Sequence, residues 1–150
     1  MASKVAQITD AVLTEVNSLT TTTSFTASKT YNPDFDKRDE TGVKVQLCPI
    51  SLSTDSQTRS KTKDVVELTI GFHKRITIDA DGNYNQTEVE DMMELVEEVL
   101  DGIRGFDVAS PRAQQISCIA DPYFWADGLL DYQVYFGLIR MEYHVQGTNN

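Results

Sequence analysis

Apolar residues recur along this chain at two periods, and the change from one to the other marks its elements. Val5, Ile8, Val12, Val16 and Leu19 form a helical stripe over residues 4–19, with Ser3 placed to cap its start. A stronger stripe runs over residues 87–105, where Val89, Met92, Met93, Val96, Val99, Leu100 and Ile103 repeat at helical spacing. Thr87-Glu88-Val89-Glu90 reads as a capping box at its start, and Gly105 marks its end. The opposite side carries Glu88, Asp91, Glu94, Glu97, Glu98 and Asp101, so only the Val/Met/Leu side can pack. The acidic side must face water or a partner.

Elsewhere the period is two. Phe25, Ala27 and Tyr31 alternate with polar residues. Val43, Val45 and Leu47 alternate with Lys44, Gln46 and Cys48, giving a half-buried strand that Pro49 ends or pushes to a sheet edge, with Cys48 pointing away from the core. Val66, Leu68, Ile70 and Phe72 lie opposite Glu67, Thr69 and His73, and Ile76 and Ile78 resume the apolar face of a long strand over 65–78. Residues 116–119 offer a short strand. In the last, over 131–145, Tyr135, Ile139, Met141, Tyr143 and Val145 share one face while Val134, Phe136 and Leu138 lie on the other.

The order of helix, three strands, helix and two strands predicts an α+β fold in one domain over 1–150: a mostly antiparallel sheet of about five strands with two helices packed on one face. A strand over 65–78 spans about 46 Å and a helix over 87–105 about 28 Å, so the sheet is expected to extend beyond that helix's cover.

Residues 51–63 hold Ser53, Thr54, Ser56, Thr58, Ser60 and Thr62 among Arg59, Lys61 and Lys63, with little that is apolar after Leu52. A mobile loop or hairpin around 51–64 is expected there, and Arg59, Lys61 and Lys63 are candidate partner-docking residues. Phe124, Trp125, Leu129 and Leu130 are too apolar to be freely solvated and are expected to pack on the core or on another chain.

With 150 residues and 40% hydrophobic content, the chain can build one core. A net charge of −10, with only 13 Lys and Arg, argues against a primary role in gripping nucleic acid and suits a surface that DNA passes without sticking. The first residues lead into an amphipathic pattern rather than an apolar signal core, and no run approaches a membrane span; a soluble protein, not exported by a signal peptide, is expected. Cys48 and Cys118 are read as reduced structural thiols.

Candidate chemistry is thin. Asp79, Asp81, Asn83 and Glu90 occupy the first, third, fifth and twelfth positions of a calcium loop, but Tyr84 replaces the turn glycine and a strand precedes the loop. A strand-to-helix turn followed by a capping Glu90 is the better reading. Cys48, His73 and His144 could compose a thiol and imidazole site, which nothing in their spacing requires. No catalytic, cofactor-binding or metal-binding residue is assigned, and no cofactor is expected.

The opening helix from Val5 to Leu19, the Ser/Thr-rich hairpin near 54–63, the acidic helix over 87–104 and the closing strand over 132–145 resemble, in order and length, the phage tail terminator proteins. The resemblance spans nearly the whole chain and rests on layout rather than on a motif. It implies a structural virion protein, not an enzyme: a ring, usually of six subunits, that caps the finished tail tube, stops its polymerisation and presents a surface for joining the head. The implied partners are other copies, the tail tube protein and a head-completion or connector protein, with DNA passing through unbound and no membrane involved. The implied location is the virion tail or neck after synthesis in the host cytoplasm. Apolar character on both faces of the last strand fits this role, and Val134, Phe136 and Leu138 are the expected subunit interface. The alternative is a small cytoplasmic enzyme or ligand-binding α+β domain with a cleft near Tyr123, Trp125 and His144.

Overall fold

The computed structural model describes residues 3–31, 42–56, 61–121, 123–124 and 133–148. Helix α1 (Lys4–Ser18) opens the chain, with Ser3 Oγ accepting from the Ala6 N–H as the predicted cap. Strands β1 (Ala27–Lys29), β2 (Lys44–Ser56) and β3 (Lys61–Arg75) follow, then helix α2 (Gln86–Ile103) and strands β4 (Ala113–Ala120) and β5 (Val134–Thr148). The fold is α+β, with a five-stranded, mostly antiparallel sheet in the order β1-β2-β3-β5-β4; only β1 and β2 run parallel. No helix among the described residues is long and apolar enough to cross a membrane.

Helix α2 starts before the predicted box. Its N-cap is Asn85, whose side chain accepts from the Glu88 N–H at 3.2 Å. Glu88, three residues on, sends its carboxylate back to the Thr77 N–H (2.8 Å) and hydroxyl (3.0 Å), tying the helix start to the chain leaving β3. Those bonds, the backbone N–H of Thr77 first, hold the Glu88 carboxyl below its ordinary value. The helix stops at Gly105, which takes a φ of +82° that a side chain would resist.

Both helices bury their stripes in one cluster with the same face of the sheet. Ile8, Val12 and Val16 come from α1, which packs on β1 and β2 with Val45 and Leu47, while Met92, Leu95, Val96, Val99 and Ile103 come from α2, which packs on β4 and β5 with Tyr135, Ile139, Met141 and Tyr143. Val66, Leu68, Ile70 and Phe72, the predicted inward set, are all 0% exposed. Tyr135 and Tyr143 fit into this core by donating their hydroxyls to the carbonyls of Tyr123 (2.7 Å) and Phe106 (2.9 Å). Phe124 stacks on Tyr135, with ring centroids 5.6 Å apart, as its apolar character requires; Trp125, Leu129 and Leu130 lie outside the described residues.

Two strands run further than their apolar pattern. Strand β2 continues past Pro49 through a bulge between Pro49 and Ser51, and its pairing with β3 persists to Ser56 opposite Thr62. Backbone pairing supplies the order that the hydroxyl-rich side chains do not. At its far end β3 is also flanked by β5, from Lys61 opposite Thr148. At roughly 3.3 Å per residue, the 15 residues of β3 extend about 50 Å, against about 27 Å for the 18 of α2. The predicted overhang of sheet beyond α2 is therefore present.

Candidate functional site

Because both helices lie on one side, the other face of the sheet is the place to look for a site. Strand alternation sends Gln46, Cys48, Glu67, Thr69, Gly71, Leu138 and Arg140 to that face. Register sets them in two adjacent rows: Gln46, Gly71 and Leu138 across β2, β3 and β5, then Cys48, Thr69 and Arg140. Gly71 has no side chain to fill the centre of its row, and a groove of about 260 Å³ results, with Ile50 at one end. Its floor is apolar at Cys48, Ile50 and Leu138. Around it, Arg140 donates its Nε–H to the Asp121 carbonyl at 3.0 Å, and Gln46 Oε1 is buried with no hydrogen-bond partner among the described residues.

The groove does not bring Cys48 together with either histidine. Cys48 is buried, which pushes its thiol pKa up and keeps it protonated, and its Sγ–H donates to the Pro49 carbonyl. His73 lies in the row of Lys44 and Phe136, and His144 in the row of Val65 and Gln114. Each is four residues along a strand from the Cys48 row, about 13 Å, and they lie in opposite directions. The thiol and imidazole constellation is thus not formed. His144 instead meets Glu142 at 3.0 Å. The second thiol, Cys118, faces the helices, where burial pushes its pKa to about 11 against the pull of Arg104.

The Asp79 loop is a turn. Asp79 Oδ1 accepts from the N–H groups of Asp81 (2.9 Å) and Asn83 (2.8 Å), which fixes the reversal into α2. It is Glu88 rather than Glu90 that ties back the helix start, since Glu88 stands three residues after the true cap. Among the described residues no three His, Cys, Asp or Glu side chains are grouped to hold a metal ion. Of the expected cleft, Trp125 lies outside the described residues, and Tyr123 and His144 lie on opposite faces of the sheet. Tyr123 sits on the helix side, donating its hydroxyl to the Met93 carbonyl with burial and Glu97 raising its pKa to about 12, whereas His144 is on the opposite face.

The expected interface divides. Val134 is 0% exposed within the subunit, so its side chain has no surface to offer another chain, a correction to its predicted role. Phe136 and Leu138 keep half-buried positions, and Leu138 lines the groove. Of the expected docking residues, Arg59 lies outside the described residues. Lys61 and Lys63 belong to β3 rather than to a loop, with Lys63 paired to Asp55 on one side and Gln146 on the other.

Gln46, Ile50, Gly71 and Arg140 were not singled out from the sequence. The available signal was Gly71, a lone glycine inside a strand pattern, which often marks a close approach or an unfilled space. No protein-family model matches the chain, and no curated protein matches its sequence. The fold and the groove define an α+β domain in which, among the described residues, both helices cover one face of the sheet.

Proposed function

We propose that this chain is a structural protein of a phage virion, forming a ring that caps the tail tube, ends its polymerisation and offers a surface for head joining. The observation that carries the reading is the one-sided cover of the sheet: both helices sit on one face, and the other presents an apolar-floored groove lined by Leu138. A face of that kind suits a protein that works by contact with other chains. On this reading Leu138 and Phe136 meet a neighbouring chain of the assembly.

Charge supports the same role. Glu90, Asp91, Glu94, Glu97 and Asp101 are exposed along α2 in a chain of net charge −10, so a ring of such subunits repels phosphates and lets DNA slide past. The element order and length shared with tail terminators add to this. The test is electron microscopy of tubes grown from the tail tube protein of the same phage, with and without this chain. Decorated tube ends and arrested lengthening are expected; bare ends and unchanged growth overturn the proposal.

A further inference from the structure

Among the described residues, five large apolar side chains remain exposed, and four of them lie on the two edge regions of the sheet: Ile50 (55%) and Leu52 (55%) on β2, Ile116 (48%) and Ile119 (52%) on β4. These are also the stretches where the edge backbone has no described neighbour. On one side, β1 pairs with Val45, Gln46 and Leu47, and among the described residues β2 has no edge neighbour beyond them. On the other, Val108 exchanges backbone bonds with Ala113, and Asp107 Oδ1 accepts from the Gln115 N–H, and among the described residues β4 has no edge neighbour from Ile116 onward.

Edges of this kind are normally blunted by charge, proline or bulges; β2 has Pro49 and a bulge and β4 a bulge, but neither has the charge. Here β4 has no charged residue, and neither does β2 between Val45 and Thr54, although the chain as a whole carries −10. A like-charged copy can approach these stretches without repulsion, which an acidic helix face would not allow.

We propose that the uncovered edge of β4 pairs with the uncovered edge of β2 on a second copy of this chain, head to tail. Three features favour a copy over an unrelated strand. Among the described residues both edges lack a strand neighbour, and a single foreign strand would occupy only one. Three successive antiparallel pairings, β2 with β3, β3 with β5 and β5 with β4, make β4 run opposite to β2. Copies rotated about an axis along the strands therefore bring β4 to β2 antiparallel. Finally, the two edges match in height: Ser51, Glu67, Glu142 and Ser117 form one row across the sheet, and the bulge residues Ile50 and Ile116 flank it on β2 and β4. Rotation without a rise keeps a row level, so the same contact repeats and closes, whereas edges at different heights give an open filament. The pairing supplies the contact a ring needs and leaves the groove free, but it rests on the edges alone and not on any role at a tail.

Row-mates at non-hydrogen-bonded positions of paired antiparallel strands bring their Cβ atoms to about 4.5 Å, the upper end of the range a disulfide spans. The test therefore places Ser51→Cys and Ser117→Cys, nearly isosteric changes, singly and together in the full chain carrying Cys48→Ser and Cys118→Ser. After mild oxidation the double variant is expected to give a ladder of covalent multimers on non-reducing gels. A mixture of the two single variants should give dimer and nothing larger, and each alone should stay monomeric. Adding Ile119→Lys to the double variant should cut the ladder about fivefold, because a charge then sits on the paired edge. The proposal is overturned by a ladder no stronger than that of a helix-face control, Thr14→Cys with Asp101→Cys, or by either single variant cross-linking alone as well as the mixture. A ladder with uncapped tail tubes leaves the edge pairing standing and removes only the tail reading.

Discussion

Leu138 and Ile139 are neighbours on β5 that face opposite ways, and one substitution at each separates folding from assembly. Ile139 is 0% exposed in the core between α2 and the sheet. Ile139→Asp removes a buried side chain at about 2–5 kcal/mol and leaves a carboxylate without a partner at several more, against a total stability of roughly 5–15 kcal/mol. The domain should unfold or aggregate. Leu138 is half-buried on the groove face, so Leu138→Asp forfeits only part of a leucine's burial, about 1 kcal/mol, and the new carboxylate lies beside Arg140 at the open surface. For a chain of this size that is a fall of about 2–4 °C in melting temperature. The same charge placed against a neighbouring chain is desolvated, and tube capping should be lost. Circular dichroism melts report the first property and electron micrographs of tube ends the second. A Leu138→Asp variant that unfolds as badly as Ile139→Asp would show the groove face to be internal; one that melts and caps normally would remove Leu138 from the contact.

Three further outcomes follow from single contacts. The Lys4 ammonium, then Thr54, hold the Asp64 carboxyl below its ordinary value against the opposing effect of burial. A depressed carboxylate pKa adds stability that is present above the unfolded value near 3.9 and is lost as pH falls through the folded one. The melting-temperature gap between wild type and Asp64→Asn should therefore narrow as pH drops below about 4, and a gap constant from pH 7 to 2 refutes the pairing. Asn17 grips β1 through its amide, donating to the Ala27 carbonyl at 3.1 Å and accepting from the Ala27 N–H at 2.8 Å. Asn17→Ala should cost about 1–3 kcal/mol and speed hydrogen exchange at residues 27–29; unchanged exchange there contradicts it. At Gly137 an added Cβ would lie 2.9 Å from the Tyr123 carbonyl oxygen and 3.1 Å from the Tyr135 hydroxyl. Gly137→Ala should lower the urea midpoint by an amount equivalent to about 1–3 kcal/mol, and an unchanged midpoint would mean that the Tyr123 segment yields freely.

What the sequence determined by itself is the inward face of each element. Burial on one side forces period two on β3 and β5 and a 3.6-residue stripe on α1 and α2, so Val66 to Phe72, Tyr135 to Val145 and both helix stripes were legible from local order alone. Class followed, because two stripes and several alternating strands can be satisfied by helices on one face of a sheet. Ends were less legible: β2 and β3 gain their outer residues from pairing, which leaves no hydrophobic trace, and α2 starts at Asn85 because a better cap stood two residues ahead of the apparent box. Tertiary structure alone decided which rows form. The insertion of β5 between β3 and β4 sets Gly71 between Gln46 and Leu138 and opens the groove. The same register separates Cys48 from both histidines and levels the bulges at Ile50 and Ile116 across the whole sheet. Val134, which pattern placed on the outer face, is nonetheless buried within the subunit. Periodicity is written residue by residue along the backbone, whereas a row is made of residues far apart in the chain, and its membership depends on strand order and register that no local pattern encodes.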